Sequence, residues 1–252
     1  MTWCGLEGPF SAVVLGGRGG IGEAFVDALA ASTAVERVFT TSRDEAWCAA
    51  DALAPKVARL PLELTDEASF ERLAHRLREE GASPRVILNC TGLLHAHGMR
   101  PERAWRELDA EVMRRSFAVN AIAPALALKH FVPTMPRRES AIFATLSARV
   151  GSIGDNRLGG WYSYRASKAA QNMIVKTASI EAATRHPKLL VVALHPGTVA
   201  SELSEPFTKR LSPGHAVFSP AESCAYLCEV LEGLSSADSG GLFAWDGAPI
   251  PW

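Results

Sequence analysis

The chain has 252 residues, 48% of them apolar and 21% charged, which excludes a disordered chain and is enough to bury the core of one large α/β domain. A net charge of −1 supplies no global field toward nucleic acid or an anionic membrane, and Arg137-Arg138 beside Pro136 reads as a solvated loop. Neither a nucleic-acid partner nor a membrane is expected.

Met1 to Phe10 has neither the basic nor the apolar region of a signal peptide, so a cytoplasmic protein is expected. Ser11 to Leu15 then reads as a strand. It runs into Gly16-Gly17-Arg18-Gly19-Gly20-Ile21-Gly22, followed by a helix over Gly22 to Ala31. Glycines allow positive φ and leave no Cβ between backbone and ligand. A helix start directly after them offers free N–H groups and a positive dipole end to a pyrophosphate. Position after a first strand and before a helix favours a dinucleotide over a purely structural turn.

Arg37 to Thr41 is the second strand, ending in Ser42-Arg43. An acidic residue there would bind the ribose hydroxyls and repel a 2′-phosphate. Ser42 and Arg43, with Arg18 in the facing loop, instead suit a 2′-phosphate and predict NADP(H). The alternative is that Arg43 pairs with Asp44 or Glu45; Asp44 turned inward would favour NAD(H).

Strands follow at Lys56 to Leu62, Arg85 to Asn89, Ala141 to Leu146 and Leu189 to His195, and helices at Asp66 to Glu80 and Tyr164 to Arg185. Asp66 caps the first of these helices and Pro187 stops the second. The strands are continuous apolar runs, as expected where both faces are covered. Repeated strand–helix units predict a Rossmann-type, doubly wound parallel sheet of about seven strands in a three-layer α/β/α sandwich. No linker divides residues 1–252, so a single domain is expected. Pro196 to Pro220 is the one long irregular stretch, and its residues 202–219 are expected to form a substrate lid. There Leu203, Phe207, Leu211, Val217 and Phe218 either meet an apolar part of the substrate or pack the lid on the body.

The apolar stretch Ala118 to Leu128 is broken by Asn120 and Pro124 and is too short to span a bilayer. Five cysteines without framework spacing fit a reducing compartment. Cys224 and Cys228, one helical turn apart, read as buried apolar thiols. His95, His97, His130 and His195 share no ligand spacing, and no metal is expected.

Tyr164 and Lys168 lie at i and i+4 on one helix face, where an ammonium can stabilise phenolate and bring a poor acid–base group toward neutral pH. Alone that spacing is common on solvated helices. Asn89-Cys90-Thr91-Gly92, Asn120, Ser147 and the run from His195 to Ser201, however, fall at strand ends or on adjoining helices, where such folds bind ligands.

These residues, in this order and spacing from Val13 to about Ser201, resemble the short-chain dehydrogenase/reductase family. The runs Ser147 to Ile153, Tyr162 to Lys168 and Trp245 to Trp252 resemble its C-factor/sniffer branch, which includes carbonyl reductases. The resemblance implies a reversible hydride transfer between NADP(H) and a small carbonyl or alcohol substrate. Tyr164 would move the proton, Lys168 would lower its pKa and bind the nicotinamide ribose, Ser147 would hold the substrate oxygen, and Asn120 would anchor a relay water. Gly16, Arg18, Gly20, Ile21 and Gly22 would serve the phosphates, and Glu63 and Leu64 the adenine. Asn89 and Gly92 would line the adenosine ribose, and Pro196, Val199 and Ser201 the nicotinamide end. A homodimer or homotetramer is implied.

The departures are Leu15 where Thr is usual, the order Arg18-Gly19, and extra residues Asp155 to Gly160 before Tyr164, which read as an extension at the substrate mouth. Tyr162 is a rival proton donor but lacks a lysine at i+4. A signalling protein that binds nucleotide without catalysis would show a broken catalytic set. A sugar-nucleotide epimerase would need a larger C-terminal substrate domain.

Overall fold

The structure, a computed structural model, describes residues 2–50, 54–208, 214 and 216–252. It opens with a two-stranded hairpin, β1 (Thr2–Trp3) and β2 (Leu6–Glu7), turned at Cys4 and Gly5, both at positive φ. The main elements follow as β3 (Phe10–Leu15), α1 (Gly20–Ala31), β4 (Val35–Ser42), α2 (Glu45–Ala49), β5 (Val57–Pro61), α3 (Glu67–Glu79) and β6 (Pro84–Asn89). Next come α4 (Ala110–Phe117), a π-helical turn (Ala118–Ile122), α5 (Ala123–Phe131), β7 (Ala141–Leu146), α6 (Tyr162–Arg185) and β8 (Leu189–His195). The last are α7 (Glu205–Thr208), α8 (Pro220–Gly233) and β9 (Leu242–Ala244).

The strands from β3 onward form one parallel seven-stranded sheet in the order β5-β4-β3-β6-β7-β8-β9. The chain winds outward from β3 to β5, returns to β6 and winds outward the other way. In folds of this kind the ligand crevice lies at the carboxyl ends of the strands where the direction changes, here β3 and β6.

Strand side chains alternate between two cores. Ala12, Val14, Val86, Leu88, Ile142, Val192 and Leu194 pack with Phe25 and Leu29 of α1 and Leu227 and Leu231 of α8. Val13, Leu15, Ile87, Phe143, Val191 and Ala193 pack on the opposite face with Phe70 of α3, Phe131 of α5 and Val175 of α6. Two apolar faces per strand explain why the sequence shows unbroken apolar runs. The predicted three-layer sandwich is present.

Boundaries differ where local patterning is weak. β9 has three residues among glycines and was not legible as a strand. The N-terminal hairpin buries Trp3 and Leu6 against the α1/α8 core, which Cys4, Cys224 and Cys228 also join as free thiols. The helix predicted from Tyr164 begins at Tyr162. Asp66 caps α3 by accepting from the Ala68 N–H (3.1 Å). The lid expectation falls partly outside the described residues, Leu211 and the Phe207 side chain included; Val199 and Phe218, on either side, are joined by a parallel bridge. Among the described residues no helix is long and apolar enough to cross a membrane.

Candidate active site

The glycine loop is shaped by close approaches. Gly16 (φ +82) and Gly20 (φ +57) hold left-handed conformations. A Cβ on Gly17 would overlap Oγ1 of Thr40 and come within 2.9 Å of Val26 Cγ2, and one on Gly22 would strike the Gly16 carbonyl. Those two glycines therefore serve packing of loop on strand and helix on loop. Thr41 at the end of β4 ties the loop down: its carbonyl accepts from the N–H groups of Gly16 (3.2 Å) and Gly17 (3.1 Å), and its Oγ1 accepts from Gly16 (3.3 Å). Thr41 supplies an anchor that Leu15 cannot.

No side chain caps the start of α1 at Gly19, and a Cβ on Gly19 would meet nothing within 4 Å. Uncapped N–H groups, a positive dipole end and open space above them are features a pyrophosphate fits. Ile21 sits half-buried in the first turn. Ser201, beyond β8, faces Gly20, with its Cβ 3.8 Å from where a Gly20 Cβ would lie. Val199 is buried and Pro196 half-buried in the same segment.

Beside the loop, Arg18 pairs with Asp44 (2.9 Å). Asp44 also caps α2 by accepting from Trp47 N–H (3.0 Å). That backbone bond first, then the Arg18 guanidinium, holds its carboxyl below the usual range. Asp44 thus turns toward Arg18, while Arg43 is exposed and Ser42 Oγ accepts from the Asp44 N–H (3.1 Å). Glu63 is engaged locally by Thr65 N–H (3.0 Å) and Oγ1 (2.8 Å), with Leu64 half-buried next to it.

At the crevice wall the side chains are buried and paired. Asn89 donates from Nδ2 to Thr145 Oγ1 (2.9 Å) and accepts from Thr91 Oγ1 (2.6 Å). Its side chain therefore locks β6 to β7, which leaves only its backbone to face a ligand. Asn120 accepts from Leu93 N–H (2.7 Å) and donates to the Leu93 carbonyl (2.8 Å) and Ser167 Oγ (3.0 Å). Pro124, four residues on, has no N–H for the Asn120 carbonyl and its ring crowds that oxygen, a physical reason for the π-turn here.

Ser147 follows β7 and donates to Oδ1 of Asn172 (2.6 Å). Tyr164 and Lys168 are 7% and 2% exposed, and the lysine Nζ lies 5.9 Å from the phenol ring centroid. The ammonium donates to the Leu146 carbonyl (2.7 Å) and to Gln171 Oε1 (2.8 Å). Burial pulls its pKa down from 10.5 to about 7 and pushes the Tyr164 phenol well above its ordinary range. A Cβ on Gly92 would lie 3.8 Å from both Lys168 Nζ and Asn120 Oδ1, so those two groups converge on the space beside Gly92.

A model of the short chain dehydrogenase family matches residues 11–212. The chain belongs to the short-chain dehydrogenase family. It is 31% identical over 192 residues to 1-hydroxy-2-glutathionyl-2-methyl-3-butene dehydrogenase of Rhodococcus sp. strain AD45, covering 76% of this chain and 78% of the relative. It is 31% identical to C-signal of Myxococcus xanthus, covering 58% of this chain and 82% of that one. The NADPH-bound carbonyl reductase from chicken fatty liver superposes with a TM-score of 0.83 at 27% identity, over 99% of this chain and 96% of its own. The likeness to C-signal and to a carbonyl reductase agrees with the expected branch.

Sequence reasoning missed three residues at the candidate site. Gln171 and Asn172 follow Lys168 on α6 and hold the lysine and Ser147. Glu102, 3% exposed, accepts from Ser163 N–H (3.2 Å) and Ser163 Oγ. It so caps α6 from 61 residues away, where the N-cap residue Trp161, itself left-handed at φ 53, has no capping side chain. No local pattern marks a cap that arrives through tertiary structure. The extension from Asp155 to Gly160 is held by an Arg149–Asp155 ion pair (2.8 Å) and by Asn156 Oδ1 accepting from Gly159 N–H (3.1 Å). Tyr162 is half-buried, unlike Tyr164.

Proposed function

We propose that the chain is an NADP(H)-dependent oxidoreductase that reduces a ketone or aldehyde to the alcohol, reversibly, with one cofactor-binding domain over residues 1–252. The observation that carries this reading is Lys168: a buried ammonium one helical turn after Tyr164, held by neutral partners beside Gly92. The bound cofactor supplies the hydride. Tyr164 gives its phenolic proton to the carbonyl oxygen; burial keeps it protonated in the ligand-free protein, the form that reduction requires. The Lys168 ammonium stabilises the phenolate that results. Ser147, oriented by Asn172, hydrogen-bonds the substrate oxygen, and Asn120 fixes the loop that Lys168 faces.

Arg18 and Arg43 support preference for a 2′-phosphate, and the NADPH-bound carbonyl reductase supports it by likeness. Asp44 is the group such a phosphate would displace from Arg18. A non-catalytic, nucleotide-binding signalling role draws on the likeness to C-signal but calls for a broken catalytic set, whereas Asn120, Ser147, Tyr164 and Lys168 are all present and buried. The test is NADPH oxidation with a panel of ketones and aldehydes, together with binding titrations of both cofactors. Turnover with NADPH and weaker NADH binding are expected; no turnover with any carbonyl, or tighter NADH binding, would overturn the corresponding half.

A further inference from the structure

Lys168 is a buried cation with no carboxylate partner among the described residues. Tyr164 on its own helix is the titratable group whose ring lies beside it. From β7 its Nζ meets the Leu146 carbonyl, between the neutral Thr145 and Ser147, and the Asn120 amide of the π-turn borders the same space beside Gly92. The turn at Arg149–Gly151 packs against it through Gly151, whose Cβ would sit 2.8 Å from Lys168 Cβ. In that turn Arg149 points to Asp155 (2.8 Å). Arg165, on α6, donates to the Gly160 (2.9 Å) and Val150 (3.2 Å) carbonyls. No carboxylate or cation contributes to the lysine's shift; burial alone does.

Gln171 is buried against it with both ends of its amide paired. Oε1 accepts from Lys168 Nζ (2.8 Å), while Nε2 donates to Thr145 Oγ1 and to the Leu146 carbonyl (3.3 Å). An ammonium can only donate and a carbonyl can only accept, so this amide has one permitted orientation. Thr145 Oγ1 also accepts from Asn89 Nδ2 (2.9 Å). An unbroken buried network therefore runs from β6 through β7 to the lysine, and such networks hold their members in one geometry.

We propose that Gln171 is a positioning residue that fixes the Lys168 ammonium against the Leu146 carbonyl, aims its remaining N–H toward Gly92, and by being neutral leaves the lysine free to exchange its proton. A glutamate in its place would accept the same hydrogen bond but hold the proton on the lysine. A leucine would remove an acceptor from a buried cation. This rests on the oxidoreductase reading, since only then does the lysine's proton matter to turnover.

The experiment is an NMR titration of lysine-labelled, cofactor-free protein as wild type, Gln171→Glu and Gln171→Leu, with Lys168→Met assigning the signal and circular dichroism checking the fold at each pH. Gln171→Glu raises the proton affinity of Lys168 at least about tenfold and Gln171→Leu lowers it by a similar factor. In the pH profile of kcat/KM the limb set by Lys168 moves in the same two directions, which a residue that only packs would not cause. Lys168 midpoints within about threefold of wild type in both variants, with the fold intact, overturn the proposal. Absence of carbonyl turnover in the wild type instead removes the oxidoreductase reading and leaves these midpoints as they are.

Discussion

The two walls of the crevice work by opposite means. The glycine loop between β3 and α1 acts through backbone: no side chain caps the N–H groups where it enters α1, and side chains can only obstruct it, as the would-be Cβ contacts of Gly17 and Gly22 show. The wall formed by the ends of β6 and β7, the π-turn and α6 acts through side chains, and there Asn89, Asn120, Ser147, Lys168 and Gln171 all carry internal hydrogen bonds. A phosphate needs several donors in an open arc, which backbone supplies without rotamer entropy. Proton transfer needs one group at one place with a tuned pKa, which burial and fixed partners supply.

The contrast can be broken most forcefully at Lys168. Lys168→Met lowers kcat/KM by about 100-fold to 10,000-fold, the range for losing an acid–base partner, while cofactor titration shows a much smaller change. A loss confined to cofactor affinity would mean that both walls serve binding alone. Next comes Gly17→Ala, which overpacks the loop against Thr40 and Val26 and costs about 1–3 kcal/mol, read by denaturant unfolding. Adding Thr40→Ala recovers part of that loss, because Thr40 Oγ1 is buried without a hydrogen-bond partner among the described residues and is the nearest atom struck.

How much of this was legible follows the same division. The glycine loop was readable because its chemistry is local: consecutive glycines, then a helix. The sheet was readable because two-sided burial leaves unbroken apolar runs; three-residue β9 and the two-residue strands of the N-terminal hairpin carry no such signal. Tyr164 and Lys168 were readable through helical spacing. Gln171 and Asn172 were not, since nothing local tells which face of a 24-residue helix meets Thr145 and Ser147. Glu102 was not, since its partner is 61 residues away. The pairing of Arg18 with Asp44 was foreseen only as an alternative involving Arg43, because sequence does not say which arginine a loop will present.

Asp44→Asn sharpens the loop side of the comparison. The amide keeps the α2 cap but releases Arg18, so NADPH affinity rises a few-fold at most, since a solvent-exposed ion pair is weak; NADH affinity is unchanged, both read by fluorescence titration. The last effect expected is a pH slope in stability. The Lys168 pKa is about 7 in the folded chain against an ordinary 10.5, so the folded chain releases a proton that the unfolded chain retains. Its penalty on folding is complete below about pH 7 and fades as pH rises toward 10.5. The cofactor-free protein therefore gains stability from this group between those values, and Lys168→Met removes that part of the slope in urea unfolding at stepped pH.

The most direct test compares wild type with Tyr164→Phe in NADPH consumption on a carbonyl substrate, alongside NADPH binding. Removing one phenolic oxygen should cut kcat at least about 100-fold and leave cofactor affinity and fold intact. Undiminished turnover in Tyr164→Phe would contradict the account, because the proton would then come from elsewhere.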